Sequence, residues 1–442
     1  MKIKKTSVYL ELKKKINSKK AVVTVVGLGY VGLPIAIEFV KKGFRVNGFD
    51  LAEARVKKLN KGISYINDIS SEEILKIKNS GRFHVTKDEK VLSVSDVIIV
   101  CVPTPLRKVK EPDISFVLAA SKTLKRFLRR GQIIILESTT YPGTTRDVIL
   151  PALEESGLKP DEDFYLAFSP ERIDPGNPKY DFTNIPKVVG AFTKRGTELG
   201  KLVYSNVVKK VVGVENPEAA EVTKLLENTF RIVNIGLINE FATLCHKLNI
   251  DVWEVIEAAK TKPFGFMPFY PGPGIGGHCI PADPMYLSWK ARKVGFQTKM
   301  IDLAAKVNRE VPAHIVERVK EILSARGKKL KGAKIFILGV TYKKDVNDLR
   351  ESPALEIIEM LKKRKVSLKY YDPYIPYIDI GGIKEKASFV TKTLLKKQDL
   401  VLIVTDHSKL DYKMIALESN LIFDTRNVLK RNKITGNNII RL

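Results

Sequence analysis

Apolar runs and helical patterns alternate along most of the chain. The runs at 21–26, 97–102 and 133–136 are rich in Val and Ile, as in parallel strands that are buried on both faces. Segments with apolar residues at helical spacing separate these runs. The sequence therefore predicts an α/β fold in which crossover helices join parallel strands.

The pattern changes to a long helix over about 216–260. Leu225, Ile232, Leu237 and Phe241 recur at helical spacing within it, and we expect them to lie on a largely buried surface. A helix of this length is predicted to form a central segment between two α/β regions.

Three polar residues of this helix share one face. Lys224, Asn228 and Arg231 follow one another at spacings of four and three residues, which places their side chains on adjacent turns. A cation, an amide and a guanidinium there can bind one anionic ligand. The alternative is a solvated polar stripe.

The first apolar run ends in a glycine-rich turn. Gly27, Gly29 and Gly32 form GxGxxG between a strand and a helix, the pattern that brings a pyrophosphate to a helix N-terminus. The next strand ends in Asp50, at the spacing of an acid that binds the adenosine ribose hydroxyls. This acid repels a 2′-phosphate, so the N-terminal region is predicted to be a Rossmann domain that binds NAD.

Further polar residues follow the ends of predicted strands. Arg55 is positioned to lie over the adenine, while Thr104, Thr139 and the turn at 169–172 end three later strands. Ligands of open α/β sheets bind at the carboxyl ends of the strands. Turn and cap chemistry is the alternative for any one of these residues.

A Gly- and Pro-rich loop at 266–284 carries the candidate nucleophile. Cys279 follows His278 and precedes Asp283 by four residues, and a helix is expected from about Pro284. A helix N-terminus stabilises a thiolate. We therefore predict that Cys279 is reactive; the alternative is a small buried apolar residue.

Composition limits the remaining classes of function. The chain of 442 residues has 44% hydrophobic residues and a net charge of +27, but its Lys and Arg are dispersed and match no nucleic-acid-binding motif. Three cysteines do not form a disulfide framework, and no apolar run reaches the roughly 18 residues of a membrane span. We expect a cytoplasmic protein that binds neither nucleic acid nor membrane, and no metal site.

A second α/β pattern begins at about 325. Its first strand ends in Gly339, where 341–344 (TYKK) replaces a dinucleotide fingerprint, so we expect this domain to bind a phosphorylated group other than NAD. The predicted domains are 1–212 (NAD-binding, with a basic leader), 213–322 (central helical segment with the cysteine loop) and 323–442 (nucleotide-sugar binding).

Eight motifs occur in a characteristic order: GLGYVGLP, VPTP, EST, SPER, KLLEN, GPGIGGHCIPADP, TYKKDVNDLRES and DTRN. Through them the chain resembles the UDP-glucose/GDP-mannose dehydrogenase family along essentially its whole length. The resemblance implies an N-terminal Rossmann domain and a smaller C-terminal Rossmann-like domain, joined by a long central helical segment that carries a homodimer contact. It also implies a UDP-sugar substrate and a product used in polysaccharide synthesis.

By this resemblance the reaction is a two-step oxidation of the sugar C6 alcohol to a carboxylate with two NAD. Cys279 would retain the aldehyde as a thiohemiacetal and then a thioester. Lys224 and Asn228 would stabilise the oxyanion, and Glu171 would assist hydrolysis. Thr139 and Asp283 would position water near the first deprotonation; the identity of the first base stays open.

The remaining expected binding residues divide into two sets. The cofactor set comprises Gly27, Gly29, Tyr30, Val31, Gly32, Asp50, Arg55, Thr104, Thr140 and Arg350. The substrate set comprises Arg172, Ile173, Arg231, Tyr270, Gly274, Tyr342, Lys343 and Arg426.

The substrate prediction depends on a departure from the family pattern. UDP-glucose members usually have Lys before the Asp of the cysteine loop, whereas this chain has Ala282. The loop and the TPL…EPDISFV stretch resemble the branch that oxidises UDP-N-acetylhexosamines. We expect UDP-N-acetylglucosamine, with UDP-N-acetylmannosamine and then UDP-glucose as alternatives.

Two other classes of function remain open at this point. The charge of +27 is the only motive for a nucleic-acid-binding protein on a Rossmann scaffold, which would bind in a salt-sensitive manner. An epimerase that retains its NAD would have a similar fold. Neither class needs a cysteine nucleophile.

Overall fold

The computed structural model describes residues 7–66, 68–105, 111–174, 177, 179–277 and 279–442. It divides into two compact units. One unit comprises Met1–Glu227 and Met285–Phe296, and the other comprises Asn228–Pro284 and Gln297–Leu442.

The first unit is built on an eight-stranded sheet within these residues, with the strand order β3-β2-β1-β4-β5-β6-β7-β8. All neighbouring strands are parallel except β6 and β7, which confirms the predicted parallel α/β sheet. The strands are β1 (Val22–Val26), β2 (Arg45–Phe49), β3 (Phe83–Thr86), β4 (Val97–Val100), β5 (Gln132–Leu136), β6 (Phe164–Phe168), β7 (Lys187–Ala191) and β8 (Val211–Val214).

Helices cover this sheet because their apolar residues recur at helical spacing and are buried against it. Side-chain caps begin two of them, with Ser70 before α4 and Thr193 before α8. A π-helical turn, Thr145–Ile149, leads into α7. The helices are α1 (Val8–Asn17), α2 (Gly32–Lys41), α3 (Glu53–Asn60), α4 (Ser71–Asn79), α5 (Val91–Val94), α6 (Ser115–Phe127), α7 (Leu150–Glu154) and α8 (Lys194–Ser205).

The predicted long helix is α9 (Pro217–Lys247), and α10 (Val252–Ala259) follows it after the Asp251 cap. Leu225 and Ile232 are buried, as expected. The expectation of a largely buried surface is wrong for Leu237 and Phe241, which are 56% and 45% exposed. Helical spacing shows which residues share a face, but it does not show what packs against that face.

The helix after the cysteine loop, α11 (Cys279–Lys293), begins five residues earlier than predicted. The predicted start at Pro284 was wrong. It relied on the preference of Pro for the first helical turn, where its missing N–H breaks no helical hydrogen bond. Pro284 instead lies inside the helix. As a result Cys279 is the first helical residue.

The second unit contains a five-stranded parallel sheet within the described residues, with the order β10-β9-β13-β14-β15. Its strands β9, β10, β13 and β14 confirm the predicted Rossmann-like domain, whereas the β11–β12 hairpin and β15 were not predicted. The elements are α12 (Lys299–Ser324), β9 (Lys334–Leu338), α13 (Pro353–Lys363), β10 (Ser367–Tyr371), β11 (Tyr377–Ile380), β12 (Ile383–Lys386), α14 (Lys392–Lys396), β13 (Leu400–Ile403), α15 (Tyr412–Glu418), β14 (Ile422–Asp424), α16 (Val428–Arg431) and β15 (Ile439–Arg441). Across the described ranges, no helix combines the length and apolarity needed to cross a membrane.

Candidate active site

The glycine-rich turn joins β1 to α2 as predicted. A Cβ on Gly32 would lie 1.9 Å from the carbonyl oxygen of Gly27, so the close approach of helix and strand requires glycine there. A Cβ on Gly29 would meet no atom within 4 Å. The backbone at this position therefore faces open space, and Val31 and Gly32 begin the helix.

Asp50 is held beside this turn by backbone hydrogen bonds. Its Oδ2 accepts from the Leu28 N–H and its Oδ1 from the Ala52 N–H, both at 2.8 Å. Arg55 lies 3.2 Å from the same carboxylate and over the ring of Tyr65. The Tyr65 hydroxyl donates to the Leu28 carbonyl. Tyr65 is a residue of this site that the sequence analysis missed, because no motif includes it.

The residues at this edge fit NAD. The Thr140 hydroxyl oxygen is buried and has no hydrogen-bond partner among the described residues, which leaves it available to a ligand. The Thr104 carbonyl accepts from the Tyr286 hydroxyl, and Tyr30 is 54% exposed. The open space at Gly29 and the acid at Asp50 are the other features that a dinucleotide requires.

Glu171 follows β6 and is buried with both carboxylate oxygens satisfied. Oε1 accepts from the Arg172 and Ile173 N–H groups at 2.6 Å, and Oε2 lies 3.3 Å from Lys187 Nζ. Burial favours the neutral acid, but Lys187, Lys224 and the backbone donors outweigh it and lower the pKa of Glu171. Lys224 Nζ also donates to the Glu171 carbonyl at 2.6 Å. Glu171 is therefore an oriented carboxylate.

Arg172 is held by an acid that the sequence analysis missed. Its guanidinium contacts Glu227 through Nε at 3.2 Å and Nη2 at 2.6 Å, and Nη1 donates to the Pro186 carbonyl at 2.6 Å. This forked pairing fixes the plane of the guanidinium. Glu227 lies on α9, one turn after Lys224.

A second missed acid, Glu221, organises the turn after Thr139 and Thr140. It accepts from the Gly143 N–H at 2.5 Å, the Thr145 N–H at 2.9 Å and the Thr145 hydroxyl at 2.7 Å. Burial raises the pKa of Glu221 to about 7. Through these bonds α9 fixes the backbone at 143–145, shortly after two of the predicted site residues.

In the second unit, Cys279 is exposed at the first residue of α11. Asp283 lies one turn further along the same helix and is buried, and its Oδ2 accepts from Asn228 Nδ2 at 2.6 Å. His278 lies outside the described residues. A thiol at a helix N-terminus is an arrangement expected of a nucleophile, because the partial positive charge there favours the thiolate.

The Gly- and Pro-rich loop before Cys279 lies against other predicted site residues. The Gly277 N–H donates to the Arg350 carbonyl at 2.9 Å. Gly277 has a φ of +80°, and a Cβ there would lie 2.8 Å from the Tyr342 ring. The left-handed backbone and this close approach both require glycine. The Gly272 N–H donates to Asn239 Oδ1 at 3.0 Å, so Asn239 also anchors the loop.

Two arginines lie close to the same loop. A Cβ on Gly272 would lie 2.7 Å from Arg426 Nη1, and Arg426 Nε donates to the Val404 carbonyl at 2.8 Å. Arg350 contacts Asp348 through two nitrogens, and this pairing, with a smaller contribution from Cys279, raises the pKa of Arg350. Arg350 is thus a cation held beside the loop that precedes Cys279.

The other expected substrate residues are less constrained by the geometry. Tyr270 donates to Glu257 at 2.7 Å and stacks on Trp253, while Arg231 is exposed on α9. Gly274 adopts a φ of +133°, and the Lys343 carbonyl accepts from a neighbouring threonine at 3.0 Å. Their binding roles stay predictions.

Three family models match the chain consecutively. They describe the NAD binding domain, the central domain and the UDP binding domain of the UDP-glucose/GDP-mannose dehydrogenase family, and match residues 21–208, 218–310 and 336–431. Together these models cover well over half of the chain, including the turn, helix and loop described above.

Relatives of the chain carry two different substrate names. A UDP-N-acetyl-D-glucosamine 6-dehydrogenase of Pseudomonas aeruginosa is 37% identical over 80% of this chain and 83% of its own. A UDP-N-acetyl-D-mannosamine dehydrogenase of Pyrococcus horikoshii is 35% identical over 92% of this chain and 96% of its own. A solved structure of the UDP-D-ManNAc dehydrogenase from P. horikoshii matches with a TM-score of 0.85, 33% identity, and coverage of 95% of this chain and 98% of that one. The chain therefore belongs to the UDP-glucose/GDP-mannose dehydrogenase family and is an NAD-dependent dehydrogenase that acts on a CH–OH group of a UDP-sugar.

Proposed function

We propose that the enzyme oxidises C6 of a UDP-N-acetylhexosamine to the carboxylate, with UDP-N-acetylglucosamine as the first candidate substrate. The observation that carries the proposal is the position of Cys279, exposed at the start of α11 and one turn from the anchored carboxylate of Asp283. A covalent nucleophile is what a two-step oxidation needs, because it retains the aldehyde between the steps.

The turn at Gly27 to Gly32 and the carboxylate of Asp50 would hold NAD, which would supply the hydride acceptor for both oxidations. The Cys279 thiolate adds to the aldehyde carbon, and the carbonyl electron pair moves to oxygen as the sulfur–carbon bond forms. Lys224 and Asn228 provide the cation and the amide donor that suit this oxyanion. After the second oxidation the sulfur is acylated, and water must cleave the thioester.

Glu171 is the proposed base for that hydrolysis. It takes a proton from water as the hydroxyl adds to the thioester carbonyl, and the Cys279 thiolate then leaves to give the carboxylate product. Its lowered pKa and two backbone donors support this role, because they keep the side chain ionised and fixed.

The nucleotide is proposed to bind to the second unit through Tyr342, Lys343 and Arg426. Burial lowers the pKa of Arg426, as expected for a cation that is partly withdrawn from water and suited to an anionic group. The match of this unit to a UDP binding domain supports the assignment.

The environment of Ala282 supports an acetamido sugar over glucose. The residue is 5% exposed on α11 and offers no ammonium group there, unlike the Lys of the UDP-glucose pattern. UDP-N-acetylmannosamine is the second candidate, favoured by the P. horikoshii relative and its structure. The two sugars differ only at C2, which one hydrogen bond can discriminate.

NADH formation with four separate substrates tests the proposal. UDP-N-acetylglucosamine, UDP-N-acetylmannosamine, UDP-glucose and GDP-mannose are each supplied with NAD, and NADH is followed by its near-ultraviolet absorbance. Two NADH per UDP-N-acetylglucosamine consumed is the expected result. Turnover of UDP-N-acetylmannosamine alone would reassign the substrate, and turnover of none would contradict the function. Unchanged turnover in Cys279→Ser would contradict the covalent mechanism.

The enzyme is also proposed to form a homodimer through α9. Phe230, Leu237, Phe241 and Leu244 are each 45% to 56% exposed on this helix, while Ala242 and Cys245 pack with α10. Such a contiguous apolar stripe is typical of a protein interface.

A reduced thiol nucleophile further supports a cytoplasmic location, because thiols persist in reducing compartments.

A further inference from the structure

A buried lysine outside every expected residue set connects two carboxylates in the first unit. Lys187 begins β7 and is 3% exposed. Its Nζ lies 2.5 Å from Glu137 Oε2, 3.3 Å from Glu171 Oε2 and 3.2 Å from the Pro170 carbonyl. A charge so deeply buried requires compensation, and these three acceptors supply it.

Glu137 is the strong counter-ion of Lys187. Both of its oxygens accept hydrogen bonds, one from Lys187 and the other from the Tyr204 hydroxyl. Burial raises the pKa of Glu137 to about 7 despite the opposing effect of Lys187. Burial alone would also lower the pKa of Lys187, but Glu137 and Glu171 reverse the effect and raise it. The ionised state of each member therefore depends on the others.

The sheet explains why these residues meet. Glu137 follows β5 and Glu171 follows β6, and both strands are parallel, so their carboxyl ends share one edge. Because β7 is antiparallel to β6, it begins at that same edge. The first residue of β7 thus lies at the carboxyl ends of β6, its neighbour, and of β5, the strand beyond β6, where ligands of α/β sheets bind.

We propose that Lys187 is a positioning residue that holds Glu171 ionised and oriented for thioester hydrolysis, with Glu137 as its counter-ion. The proposal rests on the proposed function of Glu171 as the hydrolytic base. Backbone donors occupy Oε1 of Glu171 and Lys187 faces Oε2, so the cation completes the fixation of a carboxylate that must stay unprotonated to accept a proton from water.

Other charged and titratable groups face Glu171 as well. Lys224 from α9 contributes a second positive charge and donates to the Glu171 carbonyl. Cys101, after β4, is a neutral thiol because burial, and then Glu137, raise its pKa. Arg172 is engaged with Glu227. Removal of Lys187 would leave Lys224 as the only one of these cations acting on Glu171, with Glu137 as a like charge nearby, and the two carboxylates would compete for a proton.

The test measures the two halves of the reaction separately in the full-length enzyme. Lys187→Met is mixed with NAD and UDP-N-acetylglucosamine, or with whichever UDP-sugar the wild type oxidises, across a range of pH. NADH formed in the first turnover, before hydrolysis is needed, reports oxidation, and intact-protein mass spectrometry reports acylated Cys279. We expect oxidation to persist and acyl-enzyme to accumulate at neutral pH. The hydrolysis rate falls at acid pH as Glu171 takes up a proton, and the midpoint of that fall should move up by about one pH unit or more. At pH values below the midpoint, this shift lowers the hydrolysis rate about tenfold.

Two further variants separate positioning from structure. Lys187→Arg retains the cation and is expected to restore hydrolysis near neutral pH. Lys187→Met with Glu137→Gln removes the cation and its counter-ion together, so it leaves a smaller uncompensated charge and protects the fold. Its midpoint is expected to move in the same direction but less far. If Lys187→Met fails to fold, the double variant provides the test.

The outcomes distinguish this inference from the function on which it rests. A wild-type enzyme that releases no NADH with any UDP-sugar would overturn the proposed function. A wild type that turns over normally, with a hydrolysis pH profile unchanged in Lys187→Met or in the double variant, would overturn only the role of Lys187. An equal loss of oxidation and hydrolysis would also overturn it, because a structural role alone predicts that result.

Discussion

The side-chain amide of Asn228 donates to the carboxylate of Asp283 at 2.6 Å, and both side chains are buried. This bond connects α9 to the first turns of α11, the helix that begins with Cys279. Asn228 was expected to stabilise the oxyanion. Because an amide nitrogen carries two hydrogens, it can orient Asp283 with one and retain the other for the substrate.

Asn228→Asp should therefore cause a large loss of activity. The change places two carboxylates within hydrogen-bond distance and removes an amide donor, so repulsion forces one of them to take a proton. We expect kcat to fall by about 100-fold or more, as when one oxyanion donor is lost, and steady-state NADH formation measures it. Asn432→Asp, after α16, where the amide donates to the Val428 carbonyl four residues earlier, is the control outside the site. Equal kcat values for the two variants would contradict the role of Asn228.

Cys279 should be the first cysteine to react with iodoacetamide. It is exposed, whereas Cys101 and Cys245 are buried, and burial raises the pKa of Cys101 so that its thiol is inert. Peptide mass spectrometry over time should show alkylation of Cys279 in step with loss of NADH formation. Excess UDP-sugar should slow both. Activity loss that follows modification of Cys101 or Cys245 instead would exclude Cys279 as the nucleophile.

The parts of the site that lie within one short segment could be predicted from the sequence pattern of that segment. The turn at Gly27 to Gly32 and the acid at Asp50 follow from a strand, a turn and a helix in immediate succession. The chemistry of such a unit depends on backbone conformation that the sequence specifies nearby. The predicted NAD-binding region was confirmed for this reason.

Contacts between side chains far apart in the sequence could not be predicted in this way. Lys187 and Glu137 are 50 residues apart and meet only because β7 reverses direction beside β6. Glu221 supports a turn 76 residues away through Thr145. The first pair depends on strand order and direction and the second on how α9 packs, and spacing along the chain specifies neither. The exposure of Leu237 and Phe241 was missed for a related reason, since tertiary packing decides which face of a helix is covered.

Glu221 should make the stability of the protein depend on pH. Its pKa is raised to about 7 in the folded state by burial, against about 4.3 when exposed. The folded protein therefore binds more protons than the unfolded chain between these values. The favourable contribution is fully present below about pH 4.3 and is lost as pH rises through 7.

The comparison of wild type with Glu221→Gln isolates this contribution. Gln cannot titrate, and its amide would face an N–H donor of Gly143 or Thr145, so the variant should be less stable at every pH. The wild-type advantage in Tm should be larger at pH 5.5 than at pH 8. Thr223→Val on the same helix changes no titratable group and is expected to give the same difference at both pH values. A pH-independent advantage for Glu221 would contradict the linkage.

The apolar stripe on α9 predicts the oligomeric state. Leu237 and Phe241 are 56% and 45% exposed, and burial of such side chains is worth about 1.5 to 3 kcal/mol each. Leu237→Glu or Phe241→Glu should therefore raise the dimer dissociation constant by at least about tenfold, because each change removes apolar contact and places a charge in each copy of the interface. Light scattering at micromolar concentration should report a dimer for the wild type and a monomer for the double variant. Leu417→Glu, at an 80% exposed position on α15, is the control and should remain dimeric. A monomeric wild type would contradict an interface through α9, and so would a double variant that stays dimeric.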